Sequence, residues 1–303
     1  MLHIESGRWK NPRASHRRTN RVDGWAIPAS RDSKPGGAIL KGMPSRWIDA
    51  DQTNVPRKFG PAVHCHGRGH KIPPSEINYR ANIDVLKRAG VTEVISVSAV
   101  GSLREHLRPG MFVIVDQFID RTFDRVKSFF GTGLVAHVSM AHPVCNRLGD
   151  HIEAAAREAG IEVARGGTYL VMEGPQFSSL AESELYRSWN CDVIGMTNMP
   201  EAKLAREAEL CYATVAMVTD FDCWHPNHDD VTVDAIVKVL LANADNARGL
   251  VKTLAPRLHA DTDAAACGCR STLEHALITP PEARDPELVG RLDAVAGRLL
   301  NPR

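Results

Sequence analysis

The sequence predicts an α/β fold in which one central mixed sheet is flanked by helices. From about residue 62 onward, apolar β-rich runs alternate with helical patterns, which is typical of a layered α/β domain. Two of these runs, residues 93–100 and 111–119, do not alternate apolar and polar residues, which indicates strands buried on both faces. Hydrophobic residues make up 43% of the 303 residues, enough for a sizeable core.

The first predicted elements are a helix, the two buried strands and a second helix. Helix 75–89 has Ser75 as its N-cap and Gly90 directly after its last turn. Residues 146–159 form the second predicted helix, which Gly160 ends.

The later elements continue the alternation in shorter pieces. Pro200 fits the first turn of a helix, where its missing N–H is not needed. The run CYATVAMVT, residues 211–219, has the strongest β character in the chain. The predicted strands are 168–173, 192–196 and 211–219, and the predicted helices are 179–189, 200–209, 231–254 and 288–300.

The net charge of the first 60 residues differs in sign from that of the rest of the chain. Residues 1–60 carry 12 Lys and Arg against 5 Asp and Glu, a net +7, whereas the rest carry 25 against 31, a net −6. We therefore expect a basic N-terminal segment at 1–61, a main α/β domain at 62–256 and a C-terminal loop and helix at 257–303. The basic segment has no helical or strand period, so a loosely ordered extension is preferred over a nucleic-acid-binding arm.

Composition also predicts the compartment. Seven cysteines at irregular spacing do not favour a disulfide framework and fit a reducing, cytoplasmic setting. Residues 1–10 contain no apolar signal region, and runs such as 212–218 are far shorter than the roughly 20 residues of a membrane helix. We expect a cytoplasmic protein with no membrane or nucleic-acid partner.

Side chains suited to a ligand follow four predicted strands, at the edge where open α/β sheets bind their ligands. A hydroxyl, an aromatic ring, a thioether and a carboxylate pair suit an anion, a planar ring and a sugar. They are Ser98 and Ala99, Phe177 and Ser178, Met196 and Thr197, and Asp220 and Asp222.

Asp220 and Asp222 give the sharpest functional signal. Residues i and i+2 of an extended chain point the same way, so the two carboxylates are expected on one face, where repulsion makes one hold its proton more tightly. That suits a general acid beside a heterocycle nitrogen. The competing interpretation is a cap and a solvated carboxylate. Trp224 is expected to pack over this loop.

Metal-ligand patterns are weak. His64, His66 and His70 form H-x-H-x3-H, in which a metal site is conceivable, but the glycine-flanked run HGRGH suits an anion better. Cys267-x-Cys269 is a weak metal or thiol signal, and we interpret it as incidental. No metal site is predicted.

Three stretches resemble one known family. Residues 66–83 (HGRGHKIPPSEINYRANI), residues 98–122 (SAVGSLREHLRPGMFVIVDQFIDRT) and residues 174–225, which include GPQFSS and TDFDCWH, are similar to the S-methyl-5′-thioadenosine phosphorylases of the trimeric purine nucleoside phosphorylases. The resemblance spans about residues 64–254. It implies a three-layer sandwich, a homotrimer, and phosphorolysis of a small nucleoside with inorganic phosphate as co-substrate and no cofactor.

The resemblance also implies a role for each candidate residue. The expected phosphate contacts are His66, Ser98, Ala99 and Thr197. The expected nucleoside contacts are Met196 under the ribose, Phe177 and Ser178 at the purine, His70 and Val233 at the 5′ substituent, and His137 from a neighbouring subunit. Asp220 is expected at purine N7 as the catalytic acid, and Asp222 at the 6-amino group, which favours adenine over a 6-oxo purine.

Two departures from the family concern phosphate. The family's first strand and its Gly-Gly-Thr/Ser-Gly loop are not recognisable in residues 1–60, and Cys65 stands where the family has arginine. Losing a guanidinium and a set of backbone N–H groups predicts weakened phosphate binding. The abrupt change near residue 62 suggests a displaced reading frame or a replaced upstream segment, which the coding DNA read in all frames would test.

Other functions stay open from the sequence. Within the class, the substrate could be adenosine, inosine or methylthioinosine. Outside it, the alternatives are a catalytically impaired purine-binding homologue, a metal-dependent hydrolase at the histidine cluster, and a nucleic-acid module at the basic segment.

Overall fold

The computed structural model describes residues 65–67, 69–226, 233–261 and 267–300, with the backbone alone at 38–41 and 233–237. Within these residues, eight strands form one mixed sheet. The strands are β1 (Ala38–Lys41), β2 (Glu93–Ser102), β3 (Phe112–Val115), β4 (Gln117–Asp120), β5 (Val163–Arg165), β6 (Thr168–Val171), β7 (Val193–Gly195) and β8 (Cys211–Asp220). The helices are α1 (Tyr79–Arg88), α2 (Asn146–Glu158), α3 (Leu180–Ser188), α4 (Glu201–Glu207), α5 (Val233–Ala260), α6 (Pro286–Arg291) and α7 (Asp293–Leu300).

The sheet runs in the order β4-β6-β7-β2-β8-β3-β5, with β1 beside the first half of β2. The long central pair β2 and β8 is parallel from Glu93 to Gly101. β7 runs antiparallel to the end of β2, and β3 runs antiparallel to β8. The sheet is therefore mixed, as predicted.

Helices cover both faces of the central strands, because both faces of β2 and β8 are apolar. One face carries Val94 and Tyr212 and packs against α1, α4 and α7. The other carries Ile95 and Ala213 and packs against α2 and α5. This arrangement confirms the predicted three-layer sandwich.

Several predicted boundaries were wrong. The first helix starts later, because the Asn78 side chain accepts from Ala81 N and caps α1, while Ser75 lies in the preceding 3-10 helix. The run 111–119 is two strands, since Asp116 leaves the ladder and accepts from Gly167 N at 3.1 Å. The terminal helix 288–300 is two helices, α6 and α7.

Two strands lay outside the sequence prediction. β5 pairs with β3 in a parallel register, and three residues are too short for a periodic signal. β1 lies in the basic N-terminal segment and pairs in parallel with β2, so the expectation that no first strand lies in residues 1–60 was wrong.

The C-terminal residues 267–300 pack onto the main domain. Leu273 and Leu292 are fully buried in the core that α1 and α4 share. Leu277 pairs with Ala136, so this segment also holds the loop that carries His137. In the described part of the chain no helix is both long and apolar enough to cross a membrane.

Candidate active site

The two aspartates lie at the end of β8, but not in the predicted extended arrangement. Asp220 is the last residue of the strand, and Asp222 begins the 3-10 helix Asp222–Trp224 with a left-handed φ of 51°. The prediction that they share a strand face was wrong, because the chain turns directly after Asp220. They remain joined, since the Asp222 N–H donates to Asp220 Oδ1 at 2.9 Å.

Neighbouring hydroxyls orient each carboxylate. Thr219 Oγ1 donates to Asp220 Oδ2 at 2.7 Å, and Ser183 Oγ of α3 donates to Asp222 Oδ2, also at 2.7 Å. Asp222 is 8% exposed. Two carboxylates held at fixed positions beside an open edge can read a polar, planar ligand through its hydrogen-bonding edge.

Gly101 on β2 gives the aspartates their space. A Cβ at this position would lie 3.1 Å from Asp220 Oδ1 and 3.3 Å from the Asp222 Cβ. That is tighter than ordinary packing, so a larger residue would displace the carboxylate pair.

A loop after β6 reaches the same place. The Ser178 carbonyl accepts from the Cys223 thiol at 3.4 Å, which joins the loop to the 3-10 helix of Asp222. Phe177 on this loop is 79% exposed, so its ring is available to a ligand rather than packed in the core. A cavity of about 270 Å³ opens beside it, lined by Arg121, Phe123, Met172, Glu173, Gly174, Gln176, Phe177, Ser178, Glu182 and Tyr186.

Met196 and Thr197 follow β7 and run back toward β2. The last ladder pair is Ile194 with Gly101, in antiparallel sense, and the next residue, Gly195, lies against the Tyr169 hydroxyl, which is 3.3 Å from Ser98 Oγ. The Met196 thioether lies against Gly174, where a Cβ would overlap its sulfur. The antiparallel pairing of β7 with β2 therefore brings the segment of Met196 and Thr197 toward Ser98. The sequence had predicted instead that these residues follow the carboxyl ends of strands at one edge of the sheet.

The predicted phosphate side is centred on Ser98. Ser98 Oγ lies 3.3 Å from the hydroxyl of Tyr169, which occupies the space that a Cβ at Gly195 would need. Ala99 is exposed beside it. Burial raises the pKa of Tyr169. Cys65 packs against the same apolar cluster as Tyr169, so it lies on this side of the sheet.

His66 and His70 form the turn that follows Cys65. His66 Nδ1 lies 2.8 Å from the Ile72 carbonyl, and its ring stacks on His70 at 4.1 Å between centroids. Burial lowers the pKa of His70, and the adjacent His66 lowers it further. His64 and Arg68 lie outside the described residues.

His137 lies on an exposed loop, and its backbone N–H donates to the Ala276 carbonyl at 2.8 Å. Val233 begins α5, but its side chain lies outside the described residues. Trp224 donates its indole N–H to the Ser102 carbonyl at 2.7 Å and lies 3.6 Å from the Arg187 guanidinium, which confirms its predicted packing role.

Sequence reasoning missed Arg125, whose side chain is 1% exposed. Its Nε donates to Glu173 at 3.0 Å, and its Nη1 donates to the carbonyls of Met196 and Met199, each at 2.6 Å. One guanidinium thus links the loop after β6, which begins with Glu173, to the segment after β7. No spacing pattern marks it, because its partners are 48 to 74 residues away.

Glu173 completes this network. Its carboxylate also accepts from the Ser75 hydroxyl and from the Phe123 N–H at 2.5 Å. Burial raises the pKa of Glu173, but these hydrogen bonds and Arg125 lower it to about 2. The Glu173 carboxyl group is therefore ionised throughout the neutral range.

Fold and site point to a class of protein before any relative is considered: an α/β enzyme whose paired aspartates suit the polar edge of a planar base and whose nearby hydroxyls suit an anion. The model of the phosphorylase superfamily matches residues 60–256. An S-methyl-5′-thioadenosine phosphorylase from Rhodospirillum rubrum is 66% identical over 235 residues, 78% of this chain and 80% of the relative. The chain belongs to the family of S-methyl-5′-thioadenosine phosphorylases.

Solved structures agree with this family. A methylthioadenosine phosphorylase from an antarctic soil metagenomic library is 42% identical, with a TM-score of 0.79 over 86% of this chain and 99% of that chain. A variant of the adenosine/methylthioadenosine phosphorylase from Schistosoma mansoni, solved with methylthioadenosine, is 31% identical, with a TM-score of 0.69 over 79% of this chain and 97% of its own.

Proposed function

We propose that the chain catalyses phosphorolysis of S-methyl-5′-thioadenosine to adenine and S-methyl-5-thio-α-D-ribose 1-phosphate. The observation that carries this proposal is the Asp220–Asp222 pair at the end of β8, oriented by Thr219 and Ser183. Such a pair can hydrogen-bond to one edge of adenine, with the Asp220 carboxyl group at N7 and the Asp222 carboxylate accepting from the 6-amino group. The family relationship and the relatives that act on methylthioadenosine support it.

The reaction exchanges one bond at the anomeric carbon. The bond from that carbon to the purine nitrogen breaks, a bond to a phosphate oxygen forms, and the sugar passes through an oxocarbenium-like state. Asp220 supplies or shares the proton at N7, so that adenine leaves as a neutral molecule. This chemistry needs inorganic phosphate as co-substrate, and we propose that it uses no metal or organic cofactor.

Two sides of the site hold the two substrates. Phosphate would bind at Ser98, Ala99, Thr197 and His66, where Ser98 is oriented by Tyr169. The nucleoside would lie across Met196, with its base against Phe177 and Ser178 and its 5′ group toward His70 and Val233.

The substrate comparison tests the proposed specificity. The kcat/KM for methylthioadenosine should exceed those for adenosine, inosine and methylthioinosine, all measured at one saturating phosphate concentration. A higher value for either 6-oxo substrate would overturn the assignment of adenine. Binding of adenine without turnover of any of the four would instead favour the catalytically impaired homologue.

Asp222→Asn is expected to shift the base preference. The amide can donate to a 6-oxo group but its NH₂ cannot accept from a 6-amino group, so the ratio of kcat/KM between methylthioadenosine and methylthioinosine should fall. Hydrogen bonds to charged groups contribute about 1.5–3 kcal/mol, which corresponds to roughly 10- to 100-fold in this ratio. Ser183→Ala is the matched control, since it loosens Asp222 without changing its charge and should leave the ratio nearly constant. An unchanged ratio in Asp222→Asn would contradict the assignment of Asp222 to the 6-amino group.

We propose further that the active unit is a homotrimer. Apolar side chains are exposed on two segments. On the His137 loop and the residues paired with it, Val135 is 37% exposed and Ile278 58%, and after β4, Phe123 is 82% exposed and Val126 58%. Exposed apolar side chains of this size mark interaction sites, and a ring would let His137 reach a neighbour's pocket. The predictions of a cytoplasmic location and of no nucleic-acid partner stay untested.

Subunit mixing tests the shared site. His137→Ala and Asp220→Asn should each lower activity as pure trimers. After the two are mixed and allowed to exchange subunits, activity should recover in part, because some pockets combine an intact Asp220 with His137 from a neighbour. A fully active monomer in solution, or no recovery after exchange is verified by mass, would refute it.

Cys65→Arg is expected to strengthen phosphate use. Because Cys65 packs against the cluster that contains Tyr169, whose hydroxyl is 3.3 Å from Ser98 Oγ, we expect a guanidinium at position 65 to reach a phosphate at Ser98. A hydrogen bond to a charged group contributes about 1.5–3 kcal/mol, so KM for phosphate should fall by about tenfold or more. Cys65→Lys is a control that adds charge without the planar fork, and we expect a smaller gain. Tight phosphate use by the unchanged chain, with no gain from arginine, would show that another group fills this role.

A further inference from the structure

Four of the seven cysteines form one cluster far from the aspartates. The Sγ atoms of Cys145, Cys211, Cys267 and Cys269 all lie within 4.8 Å of one another. They come from three segments: Cys145 precedes α2, Cys211 begins β8, and the C-x-C pair opens the 3-10 helix Gly268–Ser271. Sequence reasoning interpreted the C-x-C pair as incidental, because its two partners are more than 50 residues away.

The spacing of the sulfur atoms suits a metal ion rather than disulfides. None of the seven cysteines is in a disulfide, and Cys211 Sγ lies 3.3 Å from Cys267 Sγ, well beyond the roughly 2.05 Å of an S–S bond. Four thiolates around Zn²⁺ at about 2.3 Å have sulfur atoms roughly 3.8 Å apart. The observed separations, 3.3 Å for Cys211–Cys267 and at most 4.8 Å for every pair, lie on either side of that value, so sulfur displacements of about 1 Å or less would close the cluster around an ion.

The cluster is shielded from solvent. Cys145, Cys211 and Cys269 are 2%, 0% and 5% exposed, and they pack among the apolar side chains between α2, β8 and α5. Cys267 lies half-buried at the edge. A buried, water-excluding shell with four protein ligands is typical of structural metal sites, which leave no open position for a substrate.

Two arginines supply the charge that such a site needs. Four thiolates and one divalent cation leave a net charge of −2. Arg147 Nη2 donates to Cys211 Sγ at 3.8 Å, and Arg206 Nη1 donates to Cys269 Sγ at 3.7 Å. Arg147 is itself held by Glu93 and Asp261. Outer-shell hydrogen bonds of this kind orient metal-binding sulfurs and neutralise their charge.

We propose that Cys145, Cys211, Cys267 and Cys269 form a structural tetrathiolate site for Zn²⁺. Four Zn–S bonds form, the thiol protons pass to solvent, and no oxidant or reductant is required. Cys211 and Asp220 are the first and last residues of β8, about 30 Å apart in an extended strand, so the ion takes no part in phosphorolysis.

The site fastens the C-terminal segment 267–300 to the sheet. That segment carries Ala276, whose carbonyl accepts from the His137 N–H, and Ile278, whose N–H donates to the Val135 carbonyl at 2.9 Å. Loss of the ion should therefore loosen the segment and the His137 loop together, while the Asp220–Asp222 pair keeps its contacts.

Metal analysis of the full chain, purified without chelators, tests the proposal. We expect one zinc ion per chain, a tetrahedral thiolate spectrum after exchange with Co²⁺, and a lower melting temperature after a strong chelator removes the ion. The double variant Cys267→Ser/Cys269→Ser should lose the ion, and Cys223→Ser, which alters a cysteine outside the cluster, should retain it.

Three results would overturn the proposal: a metal-free chain with four titratable thiols in the cluster, an intact mass lower by the hydrogens of disulfides among these cysteines, or zinc retained by the double variant. If that variant does not fold, the zinc content and the Co²⁺ spectrum of the unchanged chain decide. A chain that binds no zinc could still release adenine, so failure of the zinc proposal is distinguishable from failure of the proposed reaction.

Discussion

Asp220→Asn is expected to lower kcat for adenine release by about 10²- to 10⁴-fold, the usual contribution of a general acid. Asparagine keeps the shape of the side chain and can still accept from the Asp222 N–H, but it cannot deliver a proton to N7. The leaving purine would then depart as an anion. The measurement is the steady-state rate at saturating methylthioadenosine and phosphate, with KM for the nucleoside expected to change much less than kcat.

Thr219→Val is the matched control for this variant. It removes the hydroxyl that donates to Asp220 Oδ2 but keeps the carboxylate, so we expect a loss of about tenfold or less. Asp220→Asn with a kcat within about threefold of the unchanged chain would contradict the assignment of Asp220 as the acid.

Arg125→Met is expected to destabilise the fold by about 3–5 kcal/mol, the cost of breaking a buried ion pair by removing one partner. The variant would leave the Glu173 carboxylate buried without its guanidinium and would orphan the carbonyls of Met196 and Met199. Denaturant unfolding at a fixed protein concentration measures the change. Arg121→Met alters an exposed arginine four residues away and should change the stability by about 0.5 kcal/mol or less.

A second substitution separates charge from packing at this position. Arg125→Met/Glu173→Gln leaves no unpaired charge, so it should be less destabilised than Arg125→Met alone. Arg125→Lys keeps the charge but lacks the fork that reaches two carbonyls and a carboxylate, and should recover only part of the loss. A loss below about 1 kcal/mol in Arg125→Met would show that the network does not hold the site together.

The sequence predicted the strand that ends at Asp220 and the helix that begins at Ser179, because both depend on neighbouring residues. Asp220 follows a long apolar run, so the strand and its terminal carboxylate were readable from residues 211–222 alone. Ser179 was predicted to start a helix, and it caps α3 through a reciprocal bond with Glu182. The turn at Asp222 could not be predicted, because nothing in the sequence around Asp222 distinguishes a left-handed φ from an extended one.

Long-range contacts set the rest. Arg125 contacts partners 46 or more residues away, and the three segments of the cysteine cluster are 56 or more residues apart, which no period or spacing records. The antiparallel direction of β7 decides which residues face Ser98, and short strands of three residues carry no signal of direction. The family resemblance carried over a set of pocket residues, but it included neither Arg125 nor the cysteine cluster.

Residues 1–61 remain the part in which this chain departs from the family's pattern. The family model matches from residue 60, and the N-terminal segment contributes β1 to the sheet beside β2. We therefore expect this chain to differ from its relatives most in its use of phosphate. Cys65→Arg addresses one of the two departures, and the coding DNA read in all frames addresses the other.

Release of adenine from methylthioadenosine, with and without inorganic phosphate, tests the central claim most directly. The account predicts that adenine appears only when phosphate is present, in equal amount to S-methyl-5-thioribose 1-phosphate, and that the rate saturates with phosphate. Adenine released at the same rate without phosphate, accompanied by free methylthioribose, would show a hydrolase and contradict the account.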